Sequence, residues 1–373
     1  MGVILLAHSC FDSPFVVGSF HILEKLRQRP DVRVLGVEPF TGWRGGKRSR
    51  RDPLVLAPRL WLPLRVRSPW ARELVLRANA ALFCRELEPL IRRWPMERCV
   101  ILDNPYAVDV AIWLKSRGFR MVLRLTDWMP GQIKSPDRET NFRMLRRALS
   151  SCDAVIATSA PVARYARHMS GRTCTVITNG VDSGFLGGAE GEQRADPRRV
   201  IYYGALDERV DVGALGRVAA LLPGSIFDVY APPGNLAGRG SLPPNVRFHG
   251  PIPYRDLPKV LPLYGFAVLP FRNCPANHGR FPMKLMEMIG CGVQVVAPPL
   301  GSLASGTPIP GLITCAAFGG DAIGVSLRKA QDEWEGLDSG RRRALLRAMR
   351  ESAKGQTWDR KVDEILAVCR YRS

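Results

Sequence analysis

The stretch RFPMKLMEMIGCGVQVVAPP (280–299) predicts an amphipathic helix that is followed, after a glycine-containing turn, by a short strand of mostly apolar residues. A helix leading into a buried strand is typical of a parallel sheet covered by helices. The same alternation extends outward from this stretch in both directions. Toward the N-terminus we predict strands in GVILLAH (2–8), DVRVLGV (31–37), CVILD (99–103), RMVLRL (120–125), DAVIAT (153–158) and CTVIT (174–178).

A second series of strands and helices begins after the glycine-rich, charged segment 179–199, which we interpret as a linker. We therefore predict an α/β protein with two Rossmann-like, doubly wound parallel-sheet domains that face a central cleft, where ligands bind in such folds. The expected bounds are 1–190 for the first domain, 191–350 for the second, and 351–373 for a closing helix that packs back toward the first domain.

The charge of the chain restricts its partners. There are 54 Lys and Arg against 34 Asp and Glu, a formal net charge of +20. Nucleic acid, anionic lipid headgroups and phosphorylated substrates are the three classes of partner that such a surplus suggests. The nine cysteines are scattered, odd in number and without a CxxC pair, which favours free thiols in a reducing, cytosolic compartment. No apolar run approaches the roughly 20 residues that a membrane span needs.

Segment 41–98 interrupts the strand and helix pattern because it mixes arginines with tryptophans, leucines and prolines. Indole rings and guanidinium groups both favour the interface between water and lipid headgroups. We therefore predict a membrane-facing surface, with a solvated basic loop followed by a core helix as the alternative. Its residues would be Trp43, Arg44, Lys47, Arg48, Arg50, Arg51, Trp61 and Trp70.

The helix in 280–299 also carries the most informative polar residues. Pro282 is suited to a first helical turn, whose exposed backbone N–H groups attract an anion. Lys284 adds a mobile positive charge that can reach a diphosphate, and Glu287, on the same face, can accept hydrogen bonds from ribose hydroxyls. The alternative is an ordinary amphipathic helix with an exposed Lys–Glu pair.

The stretch resembles the PxKxxEYxAxGxPVV signature of GT-B glycosyltransferases. VITNGVD (176–182), YYGAL (202–206) and GQTWDRKVDEIL (355–366) also resemble that superfamily, in the right order. The resemblance implies a GT-B fold and a nucleotide-sugar donor held by Lys284 and Glu287. Met283 belongs to the same motif, Gly204 would let the backbone approach the donor phosphates, and Arg209 could add positive charge.

One departure from the family-4 pattern concerns the mechanism. Retaining family-4 enzymes show two glutamates eight positions apart, whereas Gly279 stands eight positions before Glu287. The Met283–Lys284 pair is closer to the membrane-associated xanthan-pathway glucuronosyltransferase type, which inverts. That resemblance implies Asp127, after the strand RMVLRL, as the base that takes the acceptor's proton, with Asp103 as a rival.

The first strand is followed by a loop that could line an acceptor pocket, and its candidate residues are His8, Asp12, Ser13 and Gly18. Gly18 and Ser19 have a structural alternative, since they could simply cap the next helix. No HExxH or DxD-type cluster is present, so we predict no metal site and no cofactor beyond a UDP- or GDP-sugar substrate.

The function expected from these observations is transfer of a hexosyl or glycuronosyl group from a nucleotide sugar to a lipid-linked or cell-surface polysaccharide precursor. The enzyme would lie in the cytoplasm, peripherally bound to the inner face of the membrane, without nucleic acid as a partner. The alternatives are a retaining family-4-like transferase, a nucleotide-sugar epimerase on the same fold and, in a different class, a basic nucleic-acid-binding protein.

Overall fold

The structure is a computed structural model, and it describes residues 1–11, 17–40, 52–64, 66, 68–126, 138–187, 195–232, 242–304 and 308–370. The chain divides into two compact units. Unit 1 comprises Met1–Thr178 together with Trp358–Ser373, and unit 2 comprises Asn179–Thr357.

Unit 1 is built around a sheet of seven parallel strands in the order β3-β2-β1-β4-β5-β6-β7. The interior strand β1 is buried along its whole length, as its sequence GVILL predicts. The strands are β1 (Gly2–Leu6), β2 (Arg33–Val37), β3 (Val55–Leu56), β4 (Arg98–Leu102), β5 (Arg120–Leu125), β6 (Ala154–Ala157) and β7 (Cys174–Val176).

The helices of unit 1 cover this sheet, because each connection between neighbouring parallel strands must cross over it. The helix α5 has its ends defined by sequence: Ser159 accepts a hydrogen bond from the Val162 N–H, and Gly171 ends the helix in the left-handed conformation. The helices are α1 (Gly18–Arg27), α2 (Pro69–Ile91), α3 (Val108–Ser116), α4 (Arg138–Ser151), α5 (Ala160–Ser170) and the C-terminal α13 (Trp358–Arg370).

Unit 2 has a sheet of six parallel strands in the order β10-β9-β8-β11-β12-β13. Its strands are β8 (Asp196–Tyr203), β9 (Ile226–Tyr230), β10 (Val246–Phe248), β11 (Tyr264–Val268), β12 (Gln294–Ala297) and β13 (Leu312–Thr314). Its helices are α6 (Val212–Leu221), α7 (Leu257–Val260), α8 (Pro275–His278), α9 (Met283–Gly290), α10 (Gly301–Ala304), α11 (Gly320–Gly336) and α12 (Ser339–Lys354). Two parallel-sheet domains confirm the predicted fold class.

The domain limits differ from those expected from sequence. Segment 179–187 is not a linker, because Val181 and Phe185 are fully buried in the core of unit 2. The Val181 N–H also donates to the Gln356 carbonyl within that unit. The buried hydrophobic side chains attach this segment to unit 2 although it contains glycines. The compact units therefore divide at Thr178 rather than near residue 190.

The C-terminal region 340–370, where the sequence pattern predicts a single helix, contains two helices, α12 and α13, separated at Gly355–Thr357. The first belongs to unit 2 and the second to unit 1. Trp358 is the first residue of α13; it is buried and its ring stacks on His21 with centroids 5.0 Å apart. The C-terminal helix therefore completes the core of unit 1.

Two local features of the fold were not predicted. The short edge strand β3 lies inside the basic segment where we expected no strand. The segment YRDLPKVLPLY (254–264), whose sequence pattern predicts a helix, is instead a series of short turns around α7, since Pro258 and Pro262 each remove a helical N–H. Among the described residues, no helix combines the length and the hydropathy needed to cross a bilayer.

Candidate functional site

The helix α9 in unit 2 begins at Met283, with Pro282 as its N-cap in extended conformation rather than inside the first turn. The rest of the helix is buried from Leu285 to Gly290. Met283 and Lys284 are partly exposed. The first turn of α9 is therefore the part of the helix that can meet a ligand.

Lys284 reaches from this first turn to the carboxyl end of β8. Its Nζ donates a hydrogen bond of 2.6 Å to the Tyr203 carbonyl and lies 4.7 Å from the centre of the Tyr202 ring. Burial, assisted by the nearby charge of Arg280, lowers the pKa of Lys284 to about 7. The ammonium is thus held where its charged form is poorly compensated, and an added anion would stabilise it.

Gly204, directly after β8, makes the space that Lys284 occupies. Its φ of +112° is a conformation that L side chains rarely adopt, and a Cβ built on it would lie 2.6 Å from Lys284 Nζ. The structure therefore brings Gly204 and Lys284 together, although their positions are 80 residues apart in the sequence.

Glu287 lies one turn further along α9 and is only 3% exposed. Its Oε2 accepts a 2.6 Å hydrogen bond from the Tyr203 hydroxyl, and its Oε1 accepts one of 3.1 Å from the Tyr254 hydroxyl. Burial raises the pKa of Glu287, and the two tyrosine hydrogen bonds offset part of that rise. This differs from the open carboxylate expected from sequence: a ribose hydroxyl would have to use the remaining lone pairs or displace a tyrosine.

Arg209 follows β8 on a short loop and forms an ion pair with Asp207, with Nη2 and Oδ2 2.5 Å apart. Burial tends to raise the pKa of Asp207, but hydrogen bonding to Arg209 lowers it overall. Arg209 and Arg280 both act electrostatically on Lys284. The three cations lie close enough to interact, with Asp207 and Glu287 as the opposing charges.

Unit 1 contains a cavity of about 330 Å³ at the carboxyl edge of its sheet. Its walls come from the ends of β1, β2, β4 and β5 and from α2. The lining residues are His8, Pro39, Phe40, Leu64, Arg72, Leu76, Asp103, Asn104, Pro105, Tyr106 and Thr126. This is the edge at which parallel α/β sheets bind ligands.

A chain of hydrogen bonds runs from this cavity into the core of unit 1. His8 Nδ1 lies 3.2 Å from Ser19 Oγ, which donates to Asp103 Oδ2 over 2.7 Å. The same carboxylate oxygen accepts from Arg124 Nη1 at 2.9 Å. The Arg124–Asp103 ion pair is almost completely buried, with side-chain exposures of 1% and 0%.

Gly18 and Ser19 do not cap α1 as the structural alternative proposed. The N-cap is Val17, which offers no side-chain hydrogen bond. A Cβ on Gly18 would lie 2.9 Å from Arg124 Nη2 and 3.3 Å from Trp358, so a side chain here would crowd the buried arginine. The absence of a side chain at Gly18 therefore leaves room for Arg124. Ser19 links His8 to Asp103 in the hydrogen-bond chain.

Several residues singled out from sequence lie outside the described residues. They are Asp12, Ser13, Trp43, Arg44, Lys47, Arg48, Arg50, Arg51 and Asp127. Thr126, the residue before Asp127, lines the cavity.

Sequence reasoning missed Tyr203 and Tyr254, which bind Glu287, as well as Arg280 and Arg124, and it gave Ser19 only a capping role. Tyr203 lies in the motif YYGAL (202–206), and Arg280 begins the stretch 280–299. Their membership of these motifs could have indicated a place in the site. A buried arginine in a strand, as in RMVLRL, also signals a partner carboxylate, since an unpaired buried charge is costly. Tyr254 carries no such signal. Within the described ranges, no group of three or more His, Cys, Asp or Glu side chains is arranged to hold a metal ion.

Residues 20–185 match the family model of Glycosyltransferase Family 4. A Bacillus subtilis protein, TuaH, named as a glycosyltransferase of teichuronic acid biosynthesis, is 34% identical over 59 residues. That alignment spans 16% of this chain and 15% of the relative.

Solved structures match the whole chain at low identity. Sucrose-phosphate synthase from Thermosynechococcus elongatus has a TM-score of 0.73 at 16% identity, covering 99% of this chain and 98% of that one. HepE from Anabaena, in complex with UDP, has a TM-score of 0.71 at 15% identity, covering 99% of both chains. An Escherichia coli trehalose-6-phosphate protein bound to UDP-2-fluoroglucose has a TM-score of 0.68 at 11% identity, covering 100% of both chains. The fold is that of GT-B glycosyltransferases, and the resemblance found in the sequence is confirmed.

The lowered pKa of Lys284 predicts how stability depends on pH. The folded ammonium loses its proton above about pH 7, whereas the unfolded chain keeps it up to the ordinary value of 10.5, so unfolding takes up a proton between these limits. The Lys284 contribution to the free energy of unfolding therefore rises with pH in this window and falls as pH drops toward 7. Urea denaturation at several pH values should show that the stability difference between the wild-type protein and Lys284→Met shifts toward the wild type with rising pH.

The matched control is Lys329→Met, because the Lys329 side chain is 77% exposed. Its stability difference from the wild type should not change over the same window. A difference for Lys284→Met that is constant with pH would contradict the lowered pKa.

Proposed function

We propose that the protein is a glycosyltransferase that binds a nucleoside diphosphate sugar in unit 2 and transfers the sugar to a hydroxyl group of an acceptor bound in unit 1. The observation that carries the proposal is the environment of Lys284, an ammonium withdrawn from water beside two arginines and a glycine without room for a side chain. Burial and the arginines outweigh the opposing carboxylates of Asp207 and Glu287, so a further anion would stabilise the ammonium.

The diphosphate is the anion that this arrangement suits. It carries charge on two neighbouring phosphoryl groups, so one ammonium and further arginines can act on it together. Gly204 places no side chain at the end of β8, which is a usual place for phosphate in α/β folds. As the bond between the sugar and the diphosphate breaks, negative charge grows on the diphosphate. These cations stabilise that charge.

The comparisons support a uridine nucleotide over other donors. HepE and the Escherichia coli trehalose-6-phosphate protein are described in complex with UDP, UDP-glucose or a UDP-sugar analogue. We propose UDP as the first nucleotide to test, with GDP as the alternative named from the sequence.

UDP should raise the melting temperature of the wild-type protein, and this rise should be largely lost in Lys284→Ala. The loss of a charge-assisted contact predicts binding that is at least about tenfold weaker. Thermal-shift titrations with UDP, GDP and ADP measure it. Glu287→Ala should also weaken binding if the carboxylate meets the ribose, whereas Tyr254→Phe, which keeps that carboxylate, should bind nearly as well.

Lys329→Ala is the control, because it removes an exposed lysine of the same unit. Equal stabilisation by UDP in the wild type, Lys284→Ala and Lys329→Ala would remove the proposed donor site.

Asp127 is the residue we propose as the base of an inverting transfer. Support comes from its place in the chain: it follows β5 and comes directly after Thr126, which lines the cavity of unit 1. The base would take the proton of the acceptor hydroxyl while that oxygen attacks the anomeric carbon and the diphosphate leaves from the opposite face. Gly279, in place of the first glutamate of retaining family-4 enzymes, favours the same stereochemistry.

Asp127→Asn should keep UDP affinity and lose most of the transfer rate, by roughly a hundredfold or more. Radiolabelled sugar transfer and UDP binding, measured on the same preparation, separate the two effects. Glu139→Gln changes an exposed carboxylate of unit 1 and should retain both. Full turnover by Asp127→Asn would reject it as the base.

The acceptor we propose is a lipid-linked precursor of a surface polysaccharide, reached at the cytoplasmic face of the membrane. The support is an apolar patch that we define by four exposed side chains from two hydrogen-bonded segments of unit 1, Trp61, Leu62, Trp70 and Leu74. Trp61 and Trp70 are 51% and 61% exposed. Tryptophan and leucine at this exposure, on a chain of net charge +20, suit an anionic bilayer surface.

The patch is held in place by a buried side chain. Asn79 on α2 accepts from the backbone N–H groups of Trp61 and Leu62 and donates to the Leu62 carbonyl. This fixes the loop carrying Trp61 against the helix that carries Trp70 and Leu74. The same two segments supply Leu64 and Leu76 to the cavity wall, so an acceptor with a lipid tail would meet apolar side chains along both.

The full-length protein should sediment with vesicles that contain phosphatidylglycerol, and the double variant Trp61→Ala, Trp70→Ala should bind roughly tenfold more weakly. Binding of the wild type should fall as salt is raised. Val325→Ala removes an equally exposed apolar side chain from unit 2 and should bind like the wild type. Equal binding of the wild type and the double variant would contradict the membrane-facing role of the patch.

A further inference from the structure

The cavity of unit 1 has two chemically different walls. One wall is apolar and comes from Pro39, Phe40, Leu64 and Leu76. The other carries hydrogen-bonding side chains, among them His8, Asn104, Tyr106 and Thr126. A ligand that fits both walls has hydroxyl groups on one side and carbon surface on the other.

The hydrogen-bond chain behind His8 has a fixed direction. A guanidinium can only donate and an ionised carboxylate can only accept, so Asp103 Oδ2 accepts from both Arg124 and Ser19. Ser19 has a single hydroxyl hydrogen, which is directed at Asp103. Its oxygen can therefore only accept in the contact with His8 Nδ1, so that nitrogen carries the hydrogen.

The consequence concerns the other nitrogen of the ring. In neutral His8, a hydrogen on Nδ1 leaves Nε2 with a lone pair, which is the reverse of the tautomer that free histidine favours in water. His8 is exposed, whereas Ser19, Asp103 and Arg124 are buried. The three buried residues are thus fixed by their surroundings. They determine which ring nitrogen of the exposed His8 carries the hydrogen.

We infer that His8 Nε2 accepts a hydrogen bond from a hydroxyl group of a sugar bound in this cavity, and that Ser19, Asp103 and Arg124 are positioning residues that hold the ring in this tautomer. The inference rests on the proposed function, because the sugar would be the glycosyl part of the acceptor. It adds to that proposal the residue that recognises the acceptor and the polar groups that orient it. Asp127 stays the proposed base, whereas His8 binds a hydroxyl group of the acceptor sugar.

The tautomer can be measured without any activity. In full-length protein with ¹⁵N-labelled histidine, at a pH where the ring is neutral, His8 should show a protonated Nδ1 and an unprotonated Nε2. The His8→Gln variant assigns the signals by their loss. In Ser19→Ala the populations should shift to the tautomer protonated at Nε2, whereas Ser150→Ala, which removes an exposed hydroxyl of unit 1, should leave them unchanged.

Sugar binding is tested with octyl glucoside below its micelle concentration, because this probe has both a hexose and an alkyl chain. Its addition should shift the His8 Nε2 resonance of the wild type. Affinity should fall roughly five- to tenfold in His8→Ala and in Ser19→Ala. Ser150→Ala should bind like the wild type.

Two results would overturn the inference: a wild-type His8 protonated at Nε2, or equal affinity for the probe in the wild type and His8→Ala. His8 is exposed, so His8→Ala keeps the test valid even where Ser19→Ala fails to fold. UDP binding by unit 2 is measured separately. Normal UDP binding and transfer with an unaffected His8→Ala would refute the inference alone, and the expected NMR results without any transfer would refute the proposed function alone.

Discussion

A charged side chain can stay inside a protein only where opposite charges or hydrogen-bond partners replace the water it has lost. Each unit of this protein holds one such cation at the carboxyl edge of its sheet. In unit 1 a carboxylate compensates the charge, since Arg124 is paired with Asp103 in a nearly inaccessible position. In unit 2 the compensation is incomplete, because burial and the charges of Arg280 and Arg209 outweigh the effect of Glu287 and Asp207 on Lys284. The first arrangement builds a rigid support, and the second leaves a place for an anion.

This contrast explains why the two edges are suited to different ligands. Arg124 is paired with Asp103 behind Ser19 and His8, and the ion pair carries no net charge. The cavity of unit 1 therefore suits hydroxyl groups and carbon surface. An undercompensated ammonium beside a glycine suits phosphate. A transferase needs both kinds of site, because its donor is an anion and its acceptor presents a hydroxyl group.

Much of the fold could be predicted from the sequence, and less of the site. Continuous apolar runs such as GVILL and VQVVA predicted buried parallel strands, since a central strand of such a sheet has no polar face. Lys284 and Gly204 could be named because their chemistry is local to a helix start and a strand end. The partners of Glu287 could not, since Tyr203 and Tyr254 approach it from distant parts of the chain. Ser19 was misjudged for the same reason: a serine at a helix start usually caps, and its contact with Asp103 depends on tertiary structure.

The return of the chain to unit 1 has a consequence for biosynthesis. Trp358 is buried against His21, and α13 packs on α1, so the first unit lacks part of its core until the last helix exists. A ribosome makes all of unit 2 before it makes that helix. The core of unit 1 therefore lacks these contacts while unit 2 is being synthesised, so unit 2 can complete its own core first.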